Sequence, residues 1–472
     1  MATYLTQGSD GYIADGGEIV YALSGDDQIY IIHVDDSYPG QLDFEYFAPA
    51  QIYANQGDDL IVSYGWGDWM WGDSGNDTIQ AGGGDDRSYG GSGNDTIWTG
   101  TGADFVDAGS DDDKVYATDA TNDDILKGGD GFDILHLHYN ESATFNFSLI
   151  GGGSTFGLVA TGFEELHYSG SDAFETVEGG NNGDWIWGGG NTDLLSGLGG
   201  DDRIYGEDGA DIINGGDGND WLDGGADNDT LRGDNGDDHI EGGNGNDWLY
   251  GGANSDVLDG DAGNDNLRGE AGADTLRGGA DDDTIRDGAG NDTIYGDAGN
   301  DVIRTGTGSD VIWGGSGNDN IQEEDADQPV TFNGHPIWYT ADEIHGGSGN
   351  DAIAAGAGND TIYGDSGSDT ISGGDGSDTI EGGADADFMG GSTGNDTFVF
   401  RPGQAAGDQI FDFNGNGAAA GDSLLFVGFG AGATFNQLDG TQWAIVYNGG
   451  ASQEIIQFTS APTIHASDYM FT

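Results

Sequence analysis

Aspartate recurs at every ninth residue, without a gap, from Asp184 through Asp193, Asp202, Asp211, Asp220, Asp229, Asp238, Asp247, Asp256, Asp265, Asp274, Asp283, Asp292, Asp301 and Asp310 to Asp319. Glycine-rich hexapeptides such as Gly215-Gly216-Asp217-Gly218-Asn219-Asp220 separate them. Each carboxylate is an acceptor-only group, and tight turns crowd backbone carbonyl oxygens beside it. An all-oxygen ligand set without His or Cys suits a hard divalent cation, and flexible geometry favours calcium over magnesium. Left unpaired, the same carboxylates would repel one another strongly. They are therefore read as calcium ligands, with repeats i and i+2 sharing each ion.

Two further blocks keep the rhythm. The first carries Asp59, Asp68, Asp77, Asp86, Asp95, Asp104 and Asp113; the spacing then slips to eleven before Asp124 and Asp133. The last carries Asp342, Asp351, Asp360, Asp369, Asp378, Asp387 and Asp396. With shared ions the three blocks offer about two dozen sites, about +48 against a formal net charge of −77.

A backbone must hold these side chains in phase. Two residues after every aspartate of the long block stands Ile or Leu, from Ile186 and Leu195 to Ile312 and Ile321. Three residues with a central aliphatic make a short strand whose middle side chain points inward. The six before it form a turn, where glycine reaches positive φ without steric cost. Strand, turn, strand and turn wind the chain once in eighteen residues, giving two parallel sheets around an Ile/Leu core. Coils about 4.8 Å apart would carry the long block through eight coils, about 38 Å.

The consensus G-G-x-G-N-D-x-[IL]-x resembles the RTX (repeats-in-toxin) nonapeptide. The resemblance implies an all-β fold, a right-handed parallel β-roll filled with calcium, and export by type I secretion machinery. Residues 1–58 carry only ragged repeats and an aromatic stretch around Tyr38–Phe47, and are expected to cap the roll. The first repeat block takes 59–136. Residues 137–178 alternate like ordinary strands about Gly151-Gly152-Gly153, suggesting an inserted hairpin or small sheet. The long block occupies 179–321, and 322–341, with Pro329, Pro336 and Trp338, reads as a projecting loop. The third block spans 342–400, and 401–472 is richer in apolar strands, as a β cap would be. Asn395-Asp396-Thr397-Phe398, Asp408-Gln409-Ile410 and the terminal Asp468-Tyr469-Met470-Phe471-Thr472 resemble the cap and secretion signal of serralysin-type proteins, except that Thr472 departs from their all-apolar ending.

Composition agrees. Eighty-seven acidic against ten basic residues would hold a low-calcium chain open and argue against nucleic acid as a partner. No cysteine is present, so disulfide and thiol chemistry are excluded. The first residues lack the basic start and apolar run of a Sec-type signal peptide, and no stretch has the apolar length of a membrane span.

Catalytic motifs are few. Serralysins carry a zinc protease, but no HExxH occurs here. Gly421-Asp422-Ser423-Leu424 spells a lipase motif, yet falls in the cap. Gly390-Gly391-Ser392-Thr393-Gly394 fits G-x-S-x-G, yet falls in a repeat turn. His136 and His138 share a strand face and could hold zinc with Asp133, although two histidines lacking a third are more often simply exposed. No enzyme is expected.

The residue after each inward aliphatic faces out, so every eighteenth residue forms an outer column. One column of the long block runs Ser196, Asn214, Arg232, Tyr250, Arg268, Arg286, Arg304 and Gln322. The other runs Trp187, Tyr205, Asp223, Glu241, Asp259, Arg277, Tyr295 and Trp313. Stacked arginines could dock something acidic, such as another copy of the chain or an acidic polysaccharide, or simply offset the negative field. Trp185, Trp187, Tyr205 and Trp221 form an outward aromatic cluster that the 137–178 segment could instead cover. The leading expectation is a secreted calcium-dependent structural protein of the bacterial surface or matrix, such as a surface layer, sheath or filament. A secreted adhesin or glycan-binding protein comes second, and a membrane-active effector third.

Overall fold

Alternation of one buried and one outward residue recurs along nearly every strand of the repeat blocks: Trp221–Ala226 and Trp248–Ala253 each bury their leucine and turn the flanking aromatics outward. The computed structural model describes the chain except residues 1, 5–10, 16–18, 22–24, 26, 33–48, 119–122, 140–144, 151–152, 155–157, 324–330, 333–334, 337–340 and 416–420. The chain divides into two compact units, Met1–Ala226 and Asp227–Thr472.

In the first unit an eight-stranded sheet runs Ala2–Tyr4, Ile19–Tyr21, Gln51–Tyr53, Trp69–Ser74, Arg87–Ser92, Phe105–Ser110, Ile125–Asp130 and Val159–Thr161. All its pairings are parallel. A second parallel ladder takes the intervening strands, with Thr96–Trp98, Lys114–Ala117 and Ile134–His138 among its rungs. Ile186 pairs with Ile204 and Leu195 with Ile213, so one coil takes eighteen residues. Both sheets turn aliphatic side chains into one core: Ile79, Ile97, Leu126, Leu135, Ile186 and Leu195 are fully buried.

The 137–178 segment differs from its sequence expectation. It contains an antiparallel pair, Phe145–Ser148 with Gly153–Ser154, but its other strands are rungs of the roll. Glu165–Ser169 pairs in parallel with Ile134–His138 on one side and Trp185–Gly190 on the other. Phe145–Ser148 and Glu175–Glu178 open a new sheet that continues to Leu194–Gly199. The ladder changes phase here: His136, three residues after Asp133, pairs with His167, which pairs with Trp185, one residue after Asp184. A slip of two residues keeps the same side chains inward, because the pleat repeats every two. Leu166 and Tyr168 are accordingly fully buried.

The second unit repeats the plan. One ladder includes Asn266–Ala271, Thr284–Ala289, Val302–Thr305 and Asn320–Glu323, and the other Thr275–Ala280, Thr293–Ala298 and Val311–Ser316. At the loop read from 322–341, Gln322 and Glu323 still belong to a strand, and the next rung pairs Trp313 with His345 and Gln322 with Ala354. Thirty-two residues therefore complete a coil that takes eighteen in the regular repeats. Thr331–Phe332 and His335–Pro336 form a small antiparallel pair, and the rest of that segment lies outside the described residues. So does the aromatic stretch expected within the N-terminal cap.

Toward the C-terminus the parallel ladders take up Gln409–Ile410, Ser423–Phe426 and Tyr469–Phe471. Thr434–Gln437, Gln442–Tyr447 and Ser452–Phe458 add an antiparallel meander. Aromatic rings replace aliphatics there: Phe426 lies 4.8 Å from Phe471 and 5.0 Å from Phe435, ring centre to ring centre. No helix among the described residues is long and apolar enough to cross a membrane.

Close stacking explains the glycines. Gly218 has φ +144°, and a methyl group there would lie 1.9 Å from the carbonyl oxygen of Gly200 on the neighbouring coil. Gly218→Ala should therefore destabilise the calcium-loaded protein by at least about 1 kcal/mol, measured as a lower denaturation midpoint in excess calcium.

Candidate metal centre

Each periodic aspartate ends a turn and opens a strand, and the parallel register sets it beside its counterpart one coil away. Asp265 donates its backbone N–H to Oδ1 of Asp283 at 2.9 Å, and Asp283 donates to Oδ1 of Asp301 at 2.9 Å. In the first unit Asp77 donates to Asp95, and Asp95 to Asp113, at 2.7 Å. One oxygen of each carboxylate thus closes the turn of the preceding coil. All thirty-two aspartates singled out from the sequence are buried, none more than 3 % exposed.

The second oxygen is the chemically important one. At Asp77, Asp95, Asp202, Asp256, Asp283 and Asp301, Oδ2 is buried and accepts no hydrogen bond. Backbone oxygen converges on it. The place a methyl group would take on Gly278 lies 2.4 Å from Asp283 Oδ2 and 2.8 Å from the Gly296 carbonyl oxygen. At Gly346 the corresponding distances are 2.6 Å to Asp351 Oδ2 and 2.9 Å to the Gly364 oxygen. The first glycine of the repeat is therefore a space between acceptors, and acceptors that face each other need a cation or a proton. The donor set is carboxylate and carbonyl oxygen throughout, which fits calcium. Asp184 and Asp68 depart locally: Gly180 N–H donates to Asp184 Oδ2 at 2.5 Å, and the Ser63 hydroxyl to Asp68 Oδ2 at 2.7 Å.

The electrostatics agree. Burial, partly offset by the backbone N–H and reinforced by neighbouring carboxylates, pushes Asp86 up to about 9 and Asp202 and Asp283 up to about 8. Asp77 rises to about 6 for the same reasons.

The ladder also includes acids that spacing alone missed. Asp27 donates its N–H to Asp59 Oδ1 at 2.6 Å. Asp387 donates to Asp408, and Asp396 to Asp422, at 3.1 Å. Glutamates fill two rungs: Asp133 donates to Glu164 Oε2 at 2.8 Å, and Glu175 N–H reaches Asp193 Oδ1 at 2.7 Å. All five keep an apolar residue two positions later: Ile29, Ile410, Leu424, Leu166 and Val177. That pairing was the available signal; the ninefold spacing was not.

Other candidates fall apart. Asp133 is buried in the ladder, whereas the His136 ring stacks on Tyr116 at 4.1 Å and His138 is exposed. The proposed zinc triad is therefore not assembled. In the lipase-like motif Asp422 accepts N–H groups from Asp396 and Asn414 and is a ladder residue. Ser392 lies in the roll strand Phe388–Gly394.

The outer columns keep the expected register. Arg268 pairs with Arg286 and Arg286 with Arg304, all exposed. The guanidinium groups of Arg232 and Arg268 lie 4.4 and 5.6 Å from the Tyr250 ring centre. Trp187 stacks on Tyr205 at 5.6 Å, and Trp185 and Trp221 are each 37 % exposed. The described residues of 137–178 leave Trp185 and Trp221 exposed, while the His167 ring lies 5.8 Å from that of Trp185, centre to centre.

A parallel solenoid with buried columns of oxygen ligands defines a calcium-binding β-roll. The family model for the RTX calcium-binding nonapeptide repeat matches residues 67–97, 89–122, 118–137, 169–204, 196–231, 232–267, 268–303, 295–322, 339–371 and 363–398. These matches cover more than half of the chain, which belongs to the RTX repeat family. Its repeats bind calcium, and proteins bearing them are generally secreted by the type I route. The matched residues end at 398, before the segment 401–472 expected to form a β cap. No curated protein matches the chain.

Raised carboxyl values have a consequence for the calcium-free chain. Below about pH 4 the carboxyls are protonated folded or unfolded, and the roll carries no penalty. As pH rises toward the folded values of about 6 to 9, the unfolded state ionises more readily and the metal-free roll loses stability. Chelated protein should therefore lose strand signal in circular dichroism as pH is raised from about 5 to 8, while excess calcium should keep it flat from about 6 to 8.

Proposed function

We propose that the protein is a secreted, calcium-dependent structural component of the bacterial cell surface or extracellular matrix, forming a surface layer, sheath or filament. The supporting observation is that roll strands run through both compact units, from Ala2–Tyr4 to Tyr469–Phe471. The scaffold makes up most of the described chain, so its own surface is the working part. Metal binding and folding form one event. Extracellular calcium modules typically bind at about 10⁻⁴–10⁻³ M, so the chain stays open in a low-calcium cytosol and folds after export. On this reading the protein is not an enzyme; its partners are calcium, the type I secretion machinery and further copies of itself.

A second reading, a calcium-dependent adhesin or glycan-binding protein, draws on the half-buried aromatic columns. Tyr21, Tyr53, Trp71 and Tyr89 stack at centre-to-centre distances of 4.9, 4.4 and 5.3 Å. Tyr295 stacks on Trp313 at 4.8 Å, and His345 on Tyr363 at 4.6 Å. The arginine column supplies a place where an acidic polysaccharide, or a carboxylate-rich face of another copy, can dock.

Electron microscopy of purified protein separates the two readings. Regular sheets or fibres should form in millimolar calcium and disperse in chelator. Only isolated particles, together with specific hits on a glycan array, would favour the adhesin. Replacing Arg268, Arg286 and Arg304 together by Gln should weaken assembly; if assembly and glycan binding are both unchanged, the arginines have no docking role.

A further inference from the structure

In the long block the residue five before the periodic aspartate is glycine at every repeat except two, where Asp287 and Thr305 stand. A methyl group on the neighbouring first glycines would lie 2.4 Å from Asp283 Oδ2 at Gly278 and 2.6 Å from Asp301 Oδ2 at Gly296. A side chain at 287 must therefore enter the space beside the second oxygen of Asp292.

Asp287 does so as a carboxylate. It is 0 % exposed. Its Oδ1 is fixed by N–H groups of Gly288 and of Gly306, the latter at 2.7 Å. Its Oδ2 accepts no hydrogen bond, and neither does Oδ2 of Asp292 or Asp310. Asp292 and Asp310 are consecutive in the ladder, joined by the Asp292 N–H to Asp310 Oδ1 bond at 2.9 Å. One oxygen from each of Asp287, Asp292 and Asp310 lies within 4.8 Å of the others. Among the described residues this is the one buried His, Cys, Asp or Glu group that converges so closely.

We propose that Asp287, Asp292 and Asp310 form a three-carboxylate cation site, distinct from the two-carboxylate rungs, which binds calcium more tightly and holds it when the rest of the ladder empties. Ligand charge is a main determinant of affinity at oxygen-only sites. The third carboxylate adds a full negative charge at a place where the surrounding repeats have none. Its two N–H donors hold it in place beforehand, so little ordering is needed on binding. A trivalent ion of calcium-like size gains most from the added charge, which makes terbium a selective probe. The site depends on the calcium chemistry of the repeat, not on whether the protein assembles.

The test uses full-length protein folded in millimolar calcium, given terbium at one equivalent per chain and exchanged into terbium-free calcium buffer. Wild type should retain about one terbium ion per chain, read by elemental analysis and by tyrosine- and tryptophan-sensitised luminescence. Asp287→Gly restores the residue of the surrounding repeats, so strand signal should be preserved while retention falls about tenfold or more. Asp287→Asn keeps shape and one oxygen but not charge, and retention should fall to well below roughly half. Equal retention by wild type and both variants would overturn the site and leave the three carboxyls sharing protons. Full retention by the Asn variant alone would overturn the role assigned to charge.

Discussion

An acceptor oxygen buried without a donor is among the costliest features a fold can contain, and this protein repeats it in columns. Each Asp Oδ1 is used by a neighbouring turn, while Oδ2 faces carbonyl oxygens beside the first glycine, as Asp283 does at Gly278 and Gly296. The Ile/Leu core, with one aliphatic side chain per strand, is thin. It cannot by itself offset stacked carboxylates. Calcium reverses the sign of that term, so the ion acts as part of the interior.

The same constraint explains what the roll tolerates. A register slip of two residues at Glu165–Ser169 leaves inward side chains inward, and the ladder passes through it. A coil of thirty-two residues is accepted because the ladder resumes beyond it: Asp310 still donates its N–H to Asp342 Oδ1 at 2.7 Å. Glutamate replaces aspartate at 164 and 175: Glu164 keeps an oxygen for the Asp133 N–H, and Glu175 passes its own N–H on to Asp193. The fold requires an acid followed two residues later by an apolar side chain. Exact spacing between coils is secondary.

Outward positions answer to different rules. Parallel in-register stacking sets each outer residue against its equivalents, so arginines meet arginines at 268, 286 and 304, and rings meet rings at 53, 71 and 89. Such columns contribute little to the core, and like charges in register oppose it. They give a repetitive scaffold local identity. Asp287 is the interior counterpart: between Asp184 and Asp319, a substitution at a position otherwise held by glycine or by Thr305, placed where it changes the charge of a rung.

Local chemistry was legible in the sequence because its period was fixed. The ninefold aspartates, the aliphatic two residues later and the glycine turns specified an eighteen-residue coil, its inward side chains, and the ligand type. These follow from backbone sterics and side-chain alternation, which act over a few residues. Tertiary structure decided what depends on pairing between distant segments. It placed 165–169 and 175–178 in the ladders rather than in a separate sheet, recruited Asp27, Glu164, Glu175, Asp408 and Asp422, and separated Asp133 from His136. It also brought Asp287 against Asp292 and Asp310. Register across a sheet is set by which strands meet, and an irregular stretch leaves no periodic mark of its partners.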